Sequence, residues 1–137
     1  MPETVPRPLV RKIDCLCLPV PDLDAALAFY CARLGHELVW RTAKAAGLRL
    51  PETDAEIVLQ IERPEPETDL LVDSADEAVA RFVEAGGRVV GGPFDIQVGR
   101  CVVVADPWDN VLVLLDMSKG RLVTDASGNV IGNAPPP

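Results

Sequence analysis

The sequence has little positive charge and no long apolar run. Its 13 Lys and Arg residues stand against 21 Asp and Glu residues, which gives a formal net charge of −8 and a pI near 4.5. Nucleic acids and anionic membranes bind clustered Lys and Arg, so this balance argues against both as partners. The longest apolar runs, such as Val111–Leu115, have the length of a strand rather than of a membrane span. Because residues 1–8 lack a basic-then-apolar signal region, we expect a cytoplasmic protein.

Histidine and aromatic residues are also scarce. His36 is the single histidine, and Phe, Trp and Tyr together make up 4% of the chain. Serine and cysteine nucleophiles need a basic partner, and His36 is the one histidine that could serve.

The four cysteines do not show the paired Cys-x-x-Cys spacing of a zinc ribbon. A cytoplasmic chain of this size needs no disulfide, so we expect buried thiols that behave as small apolar side chains. Cys15 and Cys17 are two residues apart on a predicted strand and therefore share one face. The other two are Cys31 and Cys101.

With 137 residues the chain is long enough for one domain with a substantial core. Its organising stretch is Gly99–Asp116, in which two apolar runs, Cys101–Ala105 and Val111–Leu115, flank an Asp-Pro-Trp-Asp-Asn turn. This pattern predicts a β-hairpin. Both strands are apolar at nearly every position, so both faces should be covered.

The first half predicts one strand, one helix and three further strands. The helix spans Leu23–Leu34, with Asp22 as N-cap, an apolar stripe ending at Leu34 and Gly35 after its end. The predicted strands are Arg11–Val20, His36–Thr42, Ala46–Leu50 and Glu56–Glu62.

The second half repeats this order. A strand at Thr68–Asp73 leads into a helix whose start, Ser74 to Glu77, is a capping box, and strands follow at Arg88–Val90 and in the hairpin. A shift of 52 residues sets Asp22 on Ser74 and Tyr30 on Phe82, which indicates an internal duplication.

We therefore predict an α+β fold and a single domain over residues 1–137. Two βαβββ modules, about 11–63 and 66–117, form a curved, roughly eight-stranded mixed sheet with the helices on its convex face. Residues 118–137 hold a short hairpin, Leu122–Thr124 with Val130–Ile131, and a tail. An isolated hairpin is marginal in water, so it should pack on the body of the chain or, as we expect, on a second subunit.

Three stretches carry a family resemblance: Val20–Tyr30, Leu34–Leu38 and Asp106–Leu112. They resemble the vicinal oxygen chelate superfamily, which includes glyoxalase I, the extradiol dioxygenases, the fosfomycin-inactivating enzymes and the bleomycin-binding resistance proteins. The resemblance covers residues 13–116 and implies a concave cavity lined by the sheet. It does not define the chemistry, because members share the scaffold and differ in what lines the cavity.

Enzymes of this superfamily place metal ligands, usually His and Glu, on the first and last strands of each module. Alignment carries these positions to Cys15, Gln60, Glu67 and Val113. Cysteine replaces the usual histidine and valine cannot ligate, so we predict no catalytic metal and no cofactor. A site built from Cys15, Glu67 and water is the alternative.

The interpretation we favour is a binding protein without metal catalysis, similar to the drug-sequestering resistance members. It would hold an apolar or aromatic small molecule in a crevice between the subunits of a homodimer. Trp108 is either a rim residue or a flat platform for the ligand, and Trp40 belongs either to the core or to the cavity. The alternatives are a metal-dependent lyase, isomerase or dioxygenase with altered ligands, and a regulatory module. The predicted ligand-binding residues are Cys15, Trp40, Gln60, Glu67, Cys101, Trp108 and Val113.

Overall fold

The computed structural model describes residues 6–136. Residues 1–5, which belong to the stretch on which the cytoplasmic prediction rests, and Pro137 of the predicted tail lie outside the described residues. Neither helix found in residues 6–136 is long and apolar enough to span a membrane.

Within residues 6–136, eight strands form one open mixed sheet with the order β2-β3-β4-β1-β5-β8-β7-β6. The central pair is β1 and β5, which run antiparallel, and each pairs in parallel on its other side, β1 with β4 and β5 with β8. The predicted α+β fold with a mixed sheet is confirmed. The strands are β1 (Lys12–Pro19), β2 (Leu38–Arg41), β3 (Ala45–Arg49), β4 (Glu56–Gln60), β5 (Glu67–Leu71), β6 (Arg88–Ile96), β7 (Gly99–Ala105) and β8 (Val111–Leu115).

Both helices begin where the sequence places a capping residue. Helix α1 (Leu23–Leu27) starts after Asp22, whose carboxylate accepts from the backbone N–H of Ala25 at 2.9 Å. Helix α2 (Ala75–Glu84) starts after Ser74, whose hydroxyl accepts from the N–H of Glu77 at 3.2 Å.

The first helix departs from prediction in its second half. After Leu27 the chain continues as a π-helical segment, Ala28–Arg33, and the N–H of Leu34 donates five residues back to the carbonyl of Phe29 at 3.1 Å. A π turn holds more residues than an α turn, so it rotates the following side chains around the axis. Leu34 consequently leaves the predicted apolar stripe and is 53% exposed.

Strand pairing sets both helices on one face of the sheet. Leu16 of β1 pairs with Thr68 of β5, and Leu18 and Leu70, each two residues further on, therefore point to the same side. Leu18 packs with the core cluster under α1, and Leu70 packs with the cluster under α2. The buried residues of these clusters are Leu23, Ala26, Ala46, Leu48 and Leu59 under α1, and Val72, Ala75, Ala78, Val102, Val104 and Leu114 under α2.

Strand β6 is longer than predicted. The expected strand ends at Val90 because Gly91, Gly92 and Pro93 normally interrupt strands, but β6 continues to Ile96. Register shifts between Val89 and Gly91 and between Gly91 and Phe94 absorb these residues.

The C-terminal hairpin is present as β9 (Arg121–Thr124) and β10 (Val130–Ala134). It packs against the body of its own chain, which is one of the two surfaces expected for it. At one end the N–H of Arg41 donates to the carbonyl of Gly128 at 2.7 Å. At the other end Asn133 Nδ2 donates to the carbonyl of Gln97 at 2.8 Å. The hairpin thus joins β2 to the loop after β6.

Candidate ligand cavity

A cavity of about 610 Å³ lies on the sheet face opposite the helices. Strand alternation sets its floor, because Cys15 and Cys17 alternate with Leu16 and Leu18, which point to the helix side. Its volume is in the range of small-molecule sites. The apolar and sulfur-bearing side chains that line it are Cys15, Cys17, Val39, Trp40, Ala45, Val58, Ile96, Val98, Leu115, Met117, Leu122 and Val130.

The C-terminal hairpin supplies one border of this cavity. Leu122, Thr124 and Val130 contribute lining, together with Arg121. Because β9 and β10 are hydrogen-bonded to the body of the same chain, residues of a single chain are enough to line this cavity.

Trp40 forms part of the floor, packed beside Cys15, Cys17 and Val58. Its indole Nε1 donates to Glu56 Oε1 at 2.8 Å, which orients the ring. Gly47 makes this position possible, because a Cβ there would lie 2.0 Å from Trp40 Nε1. The sequence alone did not determine on which face of the sheet Trp40 lies, and the structure places its side chain on the cavity.

Gln60 also borders the cavity, but its amide serves the backbone. Its Oε1 accepts from the N–H groups of Glu62 and Arg63, each at 2.7 Å, and its Nε2 donates to the carbonyl of Arg63 at 2.8 Å. The side chain is 2% exposed. Gln60 therefore holds the turn after β4 and has little capacity left for a ligand.

Asp69 is the site residue that the sequence did not single out. Its Oδ2 accepts from the thiol of Cys15 at 3.4 Å and lies 3.9 Å from that of Cys17, while its Oδ1 is buried with no hydrogen-bond partner among residues 6–136. Burial, together with the nearby Glu67, raises the pKa of Asp69 to about 9. At neutral pH this side chain is a neutral carboxylic acid. A usable signal was its position 52 residues after Cys17, the offset of the internal repeat.

The thiols of Cys15 and Cys17 lie 3.8 Å apart on the cavity floor. The hydrogen bond between them and their burial raise the pKa of Cys15. Both side chains are less than 5% exposed, and all four cysteines within residues 6–136 are free thiols. The predicted common face of Cys15 and Cys17 is confirmed.

Charged groups concentrate at the end of the cavity near the start of β1. Burial raises the pKa values of Asp14 and Glu56, although a hydrogen bond from Trp40 partly offsets this effect for Glu56. Lys12 forms an ion pair with Asp54 at the same end. This end of the cavity is therefore acidic and only partly neutralised.

The predicted ligand-binding residues divide into two groups. Cys15, Trp40 and Gln60 line the cavity. Glu67, Cys101 and Val113 share the face of the cavity floor through their strand pairings with Cys17, Leu115 and Asp69, but they lie outside its lining.

Trp108 also lies outside the cavity and is 80% exposed. It occupies the turn between β7 and β8, where Asp106 Oδ1 accepts from the N–H groups of Trp108 and Asn110, both at 2.9 Å. A role for Trp108 as a ligand platform would therefore need a binding surface separate from this cavity.

The four positions that the family resemblance implies do not suit a metal held by imidazole and carboxylate. The amide of Gln60 is engaged by backbone groups, and Glu67 forms an ion pair with Arg63 at 3.5 Å. Val113 offers no donor atom, and Cys15 stands where the enzymes carry histidine. The donors needed for such a centre are therefore missing from these positions.

The fold defines the class of protein: an α+β chain whose open mixed sheet carries helices on one face and a cavity on the other. Methylmalonyl-CoA epimerase from Mycobacterium tuberculosis shares this fold with a TM-score of 0.68 and 21% identity, over 82% of this chain and 92% of that chain. Homoprotocatechuate 2,3-dioxygenase from Brevibacterium fuscum shares it with a TM-score of 0.61 and 24% identity, over 85% of this chain and 40% of that chain.

The family model named glyoxalase-like domain matches residues 15–115, and the chain belongs to that family, within the vicinal oxygen chelate superfamily. CFP32 from Mycobacterium tuberculosis and Mycobacterium bovis, provisionally named a glyoxylase, is 36% identical over 101 residues, or 67% of this chain. The chain spans 39% of the length of these curated relatives.

Proposed function

We propose that this protein binds an apolar or aromatic small molecule in the cavity on the open face of its sheet. In this proposal it is a cytoplasmic sequestering protein, and it uses no metal catalysis at the positions that the family resemblance implies, Cys15, Gln60, Glu67 and Val113. The observation that carries this proposal is the cavity of about 610 Å³ with a largely apolar lining, bordered by the chain's own C-terminal hairpin. Apolar surface removed from water supplies the affinity, and a few placed polar groups set orientation.

Two features of the floor favour a planar ligand. The indole of Trp40 is held by Glu56 at 2.8 Å and offers a ring face that does not have to be ordered on binding. The neutral acid of Asp69 adds no fixed charge to the floor at neutral pH, so an uncharged aromatic compound meets little desolvation penalty beside it.

The experiment uses the protein's own tryptophans. Trp108→Phe removes the exposed indole and leaves Trp40 as the single tryptophan, since the chain has two. Titration of this variant with a panel of planar apolar compounds should give saturable quenching or a shift of emission. The matched variant Trp40→Phe retains Trp108 and should give no response.

A steric block tests the position of the bound molecule. Thr124 of β9 is exposed and lines the cavity, so Thr124→Phe should narrow it and weaken binding about tenfold, or about 1.4 kcal/mol. Val123→Phe, at the neighbouring position outside the cavity lining, is the control and should bind as the parent does.

Thermal unfolding gives a second readout that does not depend on tryptophan. A compound at 100 times its Kd should stabilise the fold by about 2.7 kcal/mol. Absence of both saturable fluorescence changes and stabilisation across the whole panel would refute the proposal.

A further inference from the structure

We propose that Cys15, Cys17 and Asp69 form a binding site for a thiophilic divalent cation of the zinc type. The three side chains come from the two central strands of the sheet, where Cys15 pairs directly with Asp69. Their ligand atoms lie within 4.8 Å of one another, and all three residues are buried.

The spacing of these atoms matches one face of a zinc tetrahedron. With Zn–S bonds of about 2.3 Å and Zn–O bonds of about 2.0 Å, a tetrahedral ion needs S···S edges of about 3.8 Å and S···O edges of about 3.5 Å. The two sulfurs lie 3.8 Å apart, and Asp69 Oδ2 lies 3.4 Å from Cys15 Sγ and 3.9 Å from Cys17 Sγ. A cation can therefore bind with shifts of a few tenths of an ångström.

A second, independent observation also points to a ligand. Asp69 is 8% exposed, and its Oδ1 has no hydrogen-bond partner among residues 6–136. A buried carboxyl oxygen without a partner costs free energy that a cation bound to the carboxylate would offset.

The donor set determines the class of cation. Two thiolates favour Zn²⁺ and other thiophilic ions over Mg²⁺ and Ca²⁺, which require oxygen ligands. The site shares Cys15 with the positions that the family resemblance implies, but it takes Cys17 and Asp69 in place of Gln60, Glu67 and Val113. All three ligands line the cavity, so the fourth coordination position is available to water or to an oxygen atom of a bound molecule.

Co²⁺ is the probe for this site because thiolate-to-cobalt charge transfer reports sulfur ligation directly. The full chain, reduced and freed of metal by a chelator, should bind one Co²⁺ per chain with charge-transfer absorption in the near ultraviolet. Zn²⁺ should displace it, and excess Mg²⁺ should not.

Variants assign the ligands. Cys17→Ser and Asp69→Asn should each weaken Co²⁺ binding at least tenfold, and Cys17→Ser should also reduce the charge-transfer absorption. Cys31→Ser removes a thiol from the π-helical segment, away from the cavity lining, and should bind as the parent does.

X-ray absorption of the zinc-loaded parent protein keeps the test independent of variant folding, and it should show two sulfur neighbours at about 2.3 Å. Binding without charge transfer, a sulfur count other than two, or equal affinity in folded Cys17→Ser would overturn the assignment. The compound titrations above are run with chelator present, so ligand binding and cation binding succeed or fail separately.

Discussion

Asp69 should hold a proton in the folded protein throughout the neutral pH range. Burial raises its pKa from 3.8 to about 9, and unfolding returns the side chain to water. Between these two values the folded state binds one proton more than the unfolded state. The contribution of Asp69 to the free energy of unfolding is therefore greatest below the unfolded pKa and falls as the pH rises towards the folded one.

The size of this effect follows from the linkage relation. One proton changes the free energy of unfolding by about 1.4 kcal/mol per pH unit, so a rise from about pH 5 to about pH 7 costs roughly 2.7 kcal/mol. Asp69→Asn retains the shape of the neutral side chain and cannot titrate. The stability of the variant relative to the parent should therefore increase by roughly 2.7 kcal/mol over the same interval.

Urea unfolding of the reduced, metal-free chain at both pH values measures this difference. Asp24→Asn is the matched control for the loss of one carboxylate, because the Asp24 side chain is 86% exposed and forms only a surface ion pair with Arg41. If the difference in free energy of unfolding between Asp69→Asn and the parent is the same at both pH values, Asp69 is ionised in the folded state and the argument from burial is wrong.

Two further predictions concern the turn after β4 and the assembly. Gln60→Met should lower the free energy of unfolding by about 1–3 kcal/mol, because it removes the acceptor of the N–H groups of Glu62 and Arg63. Gln60→Glu keeps an acceptor for both N–H groups and should lower the free energy of unfolding less. Urea unfolding of the two variants measures the difference. The homodimer expected from sequence remains a prediction. It is supported by the two edges of the eight-stranded sheet, β2 and β6, and by the exposed apolar residues Val89, Val90 and Phe94 of β6. Sedimentation equilibrium should give a mass twice that of the chain, which is 14.7 kDa. A single species with the mass of one chain would rule the dimer out.

Local patterns in the sequence predicted most of the regular structure. Asp22 and Ser74 mark both helix starts because capping depends on residues within one turn. The hairpin of β7 and β8 was predictable because its strands and its turn are adjacent in the chain. The π-helical segment after Leu27 was not predictable, since nothing in the local apolar spacing distinguishes it from a continuing α-helix.

The candidate site depended on the tertiary structure. In the sequence Asp69 is an ordinary polar residue of a strand. The pairing of β1 with β5 brings Cys15, 54 residues earlier in the chain, close to it, so that Cys15 Sγ lies 3.4 Å from Asp69 Oδ2. Gln60 reads as a free amide until the turn after β4 engages both of its ends. The sequence by itself determined most of the elements, both helix caps and the residue types available on each strand. The tertiary structure decided which side chains lose water and which meet one another, because desolvation and pairing depend on neighbours that are remote in the chain.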